Sequence, residues 1–137
     1  RQAATESGAR LPGSLPYSWS SAHRGRLFGR TDPNAELVLY AEAFARKIQS
    51  NIAPERVREI ARLTQTRALV TVAVRRDGTV ESVTFVQSSG VAEVDQAIRQ
   101  IVQSQANFPA FAPALAREFD VIEIRRTWHF DTTLQLY

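Results

Sequence analysis

The sequence predicts an α+β domain, in which a small antiparallel sheet of about three strands carries two or three helices on one face. Three observations support this class. Apolar residues recur at helical spacing before residue 52 and again over residues 91–102. Two strand-like runs surround Asp77-Gly78, and a further alternating run, Val121–Phe130, lies near the end of the chain. The 137 residues suffice for one such domain and a tail.

The beginning of the chain follows neither the helical nor the strand period. It is rich in Gly, Pro, Ser and Arg, and its apolar residues are isolated. Too little apolar surface can be buried there to offset the entropy that ordering would cost. We therefore expect a flexible linker over residues 1–33 and a folded domain over residues 34–137.

Two helices are expected next. Asp32 is a good N-cap, and Pro33 suits the first helical position because its missing N–H would be unpaired there. The apolar stripe that follows indicates an amphipathic helix ending near Asn51. Its members are Leu37, Tyr40, Ala41, Phe44, Ile48 and Ile52. The segment PERVREIARL, which starts at Pro54, predicts a second, shorter helix.

A β-hairpin is predicted over residues 68–87. Asp77-Gly78 suits its tight turn because this dipeptide tolerates positive φ. The first strand places Val70, Val72 and Val74 on one face, whereas the second alternates less cleanly, which indicates a bulge or partial cover on both faces.

A further helix is predicted after the hairpin. Its apolar stripe runs over residues 91–102, and Ser88 to Gly90 provide capping oxygens and a permissive turn before it. Pro109 and Pro113 exclude a simple continuation of this helix. Phe108 and Phe111 are expected to fill the end of the core.

The last predicted strand, VIEIRRTWHF, has two clearly different faces. Its apolar face carries Ile122, Ile124, Trp128 and Phe130, and its other face carries Glu123, Arg125, Thr127 and His129. Arg126 is the one polar residue on the apolar face, and we expect its long side chain to reach past the end of the sheet.

Catalytic and metal-binding patterns are not found. The chain has no Cys, and His23 and His129 lack partners at metal-ligand spacing. Ser88 and Ser89 do not stand in a Gly-x-Ser-x-Gly turn, and no glycine-rich phosphate loop is present. We therefore predict no enzyme activity, no cofactor and no metal.

Nucleic-acid binding is a weak alternative. The net charge is +3, and arginine pairs occur at 75–76 and 125–126. However, Trp128 and Phe130 fall on the apolar face of the strand, so they form no platform for stacking bases. The arginines also have acidic neighbours, and we therefore expect no nucleic-acid partner.

Several segments in order resemble the C-terminal domain of TonB-family energy transducers. They are the RDG turn, a strand followed by SSG, a helix containing VDQAI, then FPAF, and finally EIRRTWHF. The likeness covers about residues 37–130. Members of this family have one inner-membrane helix, a proline-rich periplasmic linker and this small terminal domain. The resemblance therefore implies an interaction protein.

The resemblance also implies partners and a location. The domain would bind the TonB box peptide of a TonB-dependent outer-membrane transporter by adding it to the last strand, and an ExbB/ExbD-like motor would supply proton-motive energy. We expect a periplasmic domain whose single anchoring helix lies upstream of Arg1, because the chain has no Met and no apolar run long enough to span a membrane. A homodimer formed by strand exchange or edge pairing is left open.

The predicted partner-binding residues lie on the last strand. A terminal strand at a sheet edge exposes unpaired N–H and C=O groups that an extended peptide can bind. The residues chosen are Val121, Glu123, Arg125, Thr127 and His129. The alternative is that the tail DTTLQLY or a second subunit covers this edge.

The sequence departs from the family pattern at two places. Many relatives carry a Tyr-Pro pair after the first helix, where this chain has Asn51-Ile52-Ala53-Pro54, and residues 1–33 lack Pro-Glu and Pro-Lys repeats. The identity of the transporter is therefore not predicted. A TolA-like domain that supports envelope integrity is the second hypothesis, and a nucleic-acid-binding module is the third.

Overall fold

The structure is a computed structural model that describes residues 23–137. Its elements in chain order are β1 (Arg24–Leu27), α1 (Ala35–Ser50), α2 (Pro54–Ala61), β2 (Ala68–Arg75), β3 (Val80–Gln87), α3 (Ala92–Gln105), α4 (Pro113–Glu118), β4 (Val121–Phe130) and β5 (Leu134–Leu136). The predicted α+β class is confirmed. The described sheet has five strands where about three were expected, and it is mixed.

β4 lies in the interior of the sheet. β2 pairs antiparallel with β3 on one side and with β4 on the other, so these three strands form the sheet that was predicted. On its far side, β4 pairs with two short segments. β1 runs parallel to Val121–Ile124, and β5 runs antiparallel to Trp128–Phe130. The resulting order is β1-β4-β2-β3, with β5 beside β1 along the same edge of β4.

The core lies between one face of the sheet and the helices. The alternation predicted for the last strand is confirmed, since Ile122 and Ile124 are fully buried and Trp128 is 1% exposed. Phe108 and Phe111 fill the end of the core as expected, and their rings contact the aromatic rings of α1. The buried residues of all four described helices belong to this core, and we call the opposite face of the sheet, which carries Thr71, Glu123 and Arg125, the helix-free face.

The predicted N-cap of the first helix is wrong by two residues. Asn34 caps α1, because its side-chain oxygen accepts a hydrogen bond from the N–H of Leu37. Asp32 instead accepts the N–H of Asn34 and so shapes the turn before the cap. Two good capping residues stand close together here, and sequence alone did not distinguish them. The predicted end near Asn51 and the start of α2 at Pro54 are confirmed.

The hairpin turn at Asp77-Gly78 is confirmed. Gly78 has φ +90°, and a Cβ at this position would lie 1.9 Å from the carbonyl oxygen of Phe108. Glycine is therefore required both by the turn and by the neighbouring backbone. Register shifts in the hairpin at Leu69/Val70 and at Ala73/Val74 account for the irregular alternation of β3.

Ser88 and Ser89 do not cap α3, although the sequence predicted that they would. The helix begins after Val91, which makes no side-chain cap. Both hydroxyls instead donate to the carboxylate of Asp95 in the first turn of the helix. α4 was not predicted, and it begins at Pro113, where proline fits the first helical turn.

β1 changes the predicted domain boundary. The linker was predicted over residues 1–33, yet Arg24–Leu27 belong to the sheet and Leu27 is 1% exposed. The remainder of the predicted linker up to residue 22 lies outside the described residues. A strand with the sequence RGRL has one large apolar residue and one glycine, so its own pattern carries little signal.

Candidate functional site

All five predicted site residues lie along one edge of β4. We call this the outer edge, meaning the side of β4 that faces away from β2. Backbone groups alternate in direction along a strand. The N–H of Val121 donates to His23 at 3.3 Å, and Thr127 exchanges hydrogen bonds with Tyr137 at 2.6 and 3.0 Å. The backbone groups of the odd-numbered residues therefore point to the outer edge, and their side chains lie on the helix-free face of the sheet.

The outer edge is paired within the chain, so the expectation of an open edge is wrong for the protein as folded. β1 covers its first part and β5 covers its last part. The alternative in which the DTTLQLY tail covers the edge is correct for β5. The two registers stop short of each other, and Arg125 and Arg126 have no register partner on this side among residues 23–137.

β1 is fixed at both ends. At its start, the N–H of His23 donates to the Asp120 carboxylate at 2.9 Å, and the N–H of Asp120 donates to the carbonyl of His23 at 2.7 Å. The first of these bonds holds the pKa of Asp120 below its ordinary value. At its end, the side chain of Leu27 joins the core. Gly25 lies between them, with a Cβ position 3.0 Å from the ring of Phe119.

The side chain of Arg24 crosses the helix-free face of the sheet. Its Nε lies 2.7 Å from Glu123 on β4, and its Nη2 lies 2.7 Å from Glu81 on β3. Since β2 separates β4 from β3, this one guanidinium connects β1 to the opposite side of the sheet. Its hydrogen bond lowers the pKa of Glu81, and the same bond raises the pKa of Arg24. Arg26 makes a longer contact with Glu123, at 3.4 Å, and is 63% exposed.

The other predicted site residues also have contacts within the chain. Arg125 donates from Nε to the Thr71 hydroxyl at 2.9 Å and lies over the ring of Phe28 at 3.7 Å. His129 is in register with Gln135 of β5. On this face, Arg24 and Arg26 are therefore paired with carboxylates, whereas Arg125 contacts a hydroxyl and an aromatic ring.

Arg126 lies inside the protein and does not reach past the sheet. It is 2% exposed, and its Nη2 is 3.8 Å from the carboxylate of Glu42 on α1. Within the described part of the chain, its Nε and Nη2 have no hydrogen-bond partner. Burial lowers the pKa of Arg126. The cost of this buried guanidinium is therefore only partly offset by Glu42.

A cleft of about 570 Å³ lies where β4 begins. Its lining includes Arg76, Phe111, Asp120 and Val121. Arg75 also lines it, so the cleft lies where the end of β2 meets the start of β4. Among residues 23–137 there is no group of three or more His, Asp or Glu side chains that could hold a metal ion.

The fold and this site define a small α+β interaction domain, whose distinctive chemistry is the backbone edge of one strand. The comparison with known families agrees with this class. The chain belongs to the TonB C-terminal family, described as TonB C terminal, which matches residues 40–125. Domains of this family are non-enzymatic, generally periplasmic, and serve TonB-like energy transduction by interacting with outer-membrane transporters.

The range of the match bears on the outer edge. It begins within α1 and ends at Arg125 within β4, so both β1 and β5 lie outside it. No curated protein and no solved structure matches the chain. No helix within residues 23–137 is both long enough and apolar enough to cross a membrane. The two segments that cover the outer edge therefore lie outside the matched residues.

Proposed function

We propose that this domain is the periplasmic, partner-binding part of an inner-membrane-anchored energy transducer. An extended peptide of an outer-membrane transporter adds as a strand to the outer edge of β4. Val121, Glu123, Arg125, Thr127 and His129 provide the backbone groups for this pairing. The observation that carries the proposal is that the family match ends on β4, while the two strands covering its outer edge lie outside the match.

The short length of the covering strands supports an exchange of strands. β1 has four residues and β5 has three. Each backbone hydrogen bond contributes about 0.5–1.5 kcal/mol net, so a peptide that replaces one of these strands gains back most of what the exchange costs. The affinity that results is modest, as suits a partner that must be held and then released.

The remaining features of the proposal concern the rest of the transducer. The chain upstream of β1 leads to the anchoring helix and to an ExbB/ExbD-like motor. A homodimer formed by strand exchange would use β1, and one formed by edge pairing would use β3, the other edge of the sheet.

The family match favours the energy-transducer role over a TolA-like role. Nucleic-acid binding is disfavoured because Arg24 and Arg76 are paired with carboxylates.

The proposal is tested by amide NMR on the 137-residue chain. The added ligand is the periplasmic N-terminal peptide of a TonB-dependent transporter encoded in the same genome. We expect shifts concentrated in Val121–Phe130 and in whichever covering strand is displaced, because those amides change hydrogen-bond partners. A scrambled peptide of the same composition is the control. Shifts confined to β3 or to the helices would contradict strand addition at β4.

A further inference from the structure

We propose that the partner peptide takes the place of β1, and that β1 itself displays the side-chain pattern which this peptide must have. The inference rests on the proposed function and specifies the partner's chemistry. The pattern is a strand parallel to β4 with a basic residue at the Arg24 position, a very small residue at the Gly25 position and a large aliphatic residue at the Leu27 position.

β1 is easier to displace than β5. β5 follows β4 after three residues, Asp131 to Thr133, so it returns to its place at a high effective concentration. The side-chain oxygen of Gln49 also accepts the N–H of Leu136 at 2.7 Å. β1 instead belongs to a separate, earlier part of the chain and pairs in the parallel direction, which is slightly less stable per residue.

The Gly25 position restricts the partner to a very small residue. This position faces the core in register with Ile122, and the Phe119 ring lies 3.0 Å from where a Cβ would be. An alanine requires a small shift of the ring, and a β-branched side chain requires a large one. Peptides with valine or isoleucine at this position are therefore excluded, although such residues otherwise favour strands.

The Leu27 position requires a large aliphatic side chain. Leu27 is 1% exposed, is in register with Ile124 and belongs to the main hydrophobic core. A partner with a small or polar residue here would leave a cavity or an unpaired polar group in that core. This position therefore supplies most of the discrimination among apolar peptides.

The Arg24 position requires a basic side chain. The carboxylates of Glu81 and Glu123 have side chains that are 32% and 15% exposed, and Arg24 contacts both at 2.7 Å. Removing β1 leaves these two partly buried carboxylates without that guanidinium. A peptide that carries arginine at the same place restores both contacts. The Arg26 position is more permissive, because Arg26 is largely exposed and makes only the 3.4 Å contact.

The test uses one substitution in two settings. The probe is a labelled synthetic peptide with the sequence of residues 23–29, HRGRLFG, and its binding to the full chain is followed by fluorescence anisotropy. Arg24→Gln in the protein weakens β1, so we expect about tenfold tighter peptide binding than to the unmodified chain. The same change in the peptide should weaken binding to the Arg24→Gln protein about tenfold.

Arg26 provides the matched control. Arg26→Gln removes one positive charge from the same strand and the same face, and it should change binding less than threefold in either setting. In the peptide, Val at the Gly25 position or Ala at the Leu27 position should weaken binding at least tenfold. Equal effects at the Arg24 and Arg26 positions, or tolerance of Val at the Gly25 position, would overturn the inferred pattern.

A disulfide lock tests the place of binding. The chain has no cysteine, and Arg24 and Val121 are register neighbours on adjacent strands, so a disulfide between these positions leaves Glu81 and Glu123 in place. The Arg24→Cys/Val121→Cys protein should bind no peptide when oxidised and should bind it on reduction, so each sample is its own control. Undiminished binding by the oxidised protein would overturn the replacement of β1.

The outcomes separate this inference from the proposed function. If transporter peptides bind at β4 whatever residues they carry at the Arg24, Gly25 and Leu27 positions, the inferred pattern fails and the transporter role stands. If peptides with the pattern bind and transporter peptides do not, the transporter role fails and the specificity of the edge stands. A third outcome is that the Arg24→Gln protein forms a dimer and binds no peptide. In that case β1 of a second copy occupies the outer edge, and the inference is overturned.

Discussion

At the scale of single residues, Arg126 is the most costly placement in the described part of the domain. Its guanidinium is almost fully buried, and Glu42 is its only acidic neighbour within 4 Å among the described residues. Arg30 lies near the same carboxylate, at 3.5 Å, and shares its charge. Removing the acid and removing the base should therefore have different effects on stability.

Glu42→Gln should lower the free energy of unfolding by about 1–3 kcal/mol, because it leaves a buried charge without compensation. Arg126→Met should change it by less than about 1 kcal/mol or raise it, since methionine fills similar space and needs no hydrogen bond. Urea denaturation of both variants measures the contrast. Arg62→Gln, at an exposed arginine outside this cluster, is the control, with an expected change within about 0.5 kcal/mol. Equal losses for Glu42→Gln and Arg126→Met would contradict this account.

Alternation along the last strand predicted which face Arg126 occupies, but it did not predict what the side chain contacts there. Glu42 lies in a helix 84 positions earlier, and the sequence pattern gives no register between that helix and the strand. Gly78 is the opposite case. Its turn was predicted from the local dipeptide, because the requirement for positive φ is local.

At the scale of elements, the start of α3 depends on one carboxylate. Asp95 accepts hydrogen bonds from the backbone N–H of Ser89 at 2.9 Å and from its hydroxyl at 2.6 Å, and Ser89 is 1% exposed. Burial acts to raise the pKa of Asp95, but the bonds from Ser88 and Ser89 outweigh it and hold the pKa below its ordinary value. The ionised form is therefore the one that stabilises this turn.

Asp95→Asn should lower the free energy of unfolding by about 1–2 kcal/mol at pH 7. The folded-state pKa of Asp95 is depressed, so its contribution is present above the unfolded value of about 3.9 and is lost as the pH falls through the folded value. The difference between Asp95→Asn and the unmodified chain should therefore shrink below about pH 4. Denaturation between pH 3 and pH 7 (roughly the range of carboxyl titration) measures it.

Glu93→Gln is the matched control, because Glu93 is an exposed acid in the same first turn. Its effect should stay within about 0.5 kcal/mol across this range. A difference for Asp95→Asn that persists unchanged at low pH would mean that the carboxylate's charge is not what stabilises the turn.

The long elements were predicted well, and the short ones were not. α1, α3 and the three long strands have enough residues for their periodicity to be clear. β1, β5 and α4 have three to six residues, and their positions are decided by what they pack against. Leu27, Leu134 and Leu136 are all buried, but each belongs to a segment too short to show a repeat.

At the scale of the whole molecule, the strands should differ in how readily they open. β2 and β4 have a strand on each side, whereas β1 has only β4 beside it. The backbone groups of Gly25 and Leu27 face β4, since they alternate with the outward-facing groups of Arg24 and Arg26. β1 is therefore expected to open without unfolding of the central sheet.

Native-state hydrogen exchange measures this difference. We expect the amides of Gly25 and Leu27 to exchange at least tenfold faster than those of Val72 and Ile124, because the latter require opening of the central strands. Arg24→Gln should accelerate exchange in β1 while leaving β2 nearly unchanged. Equal exchange in β1 and β2 would show that the two strands open only together.

The candidate site was predicted as a row of residues, but its environment was not. Alternation places Glu123, Arg125, Thr127 and His129 on one face, and the structure agrees. β1 pairs with the same residues of β4. This pairing joins residues that are far apart in the chain, such as His23 and Asp120, which are 97 positions apart. Pairing over such distances is fixed by burial of Leu27 and by the carboxylates that Arg24 reaches, neither of which is visible in a local pattern.

The position of β1 in the chain has a mechanical consequence. β1 is the first described element, so tension applied to His23 from the N-terminal side would act on it before any other described element. The hydrogen bonds between His23 and Asp120, the ion pairs of Arg24 and the buried side chain of Leu27 would resist that tension. Sufficient tension would separate β1 from β4. The outer edge of β4 would then be exposed and able to bind a partner.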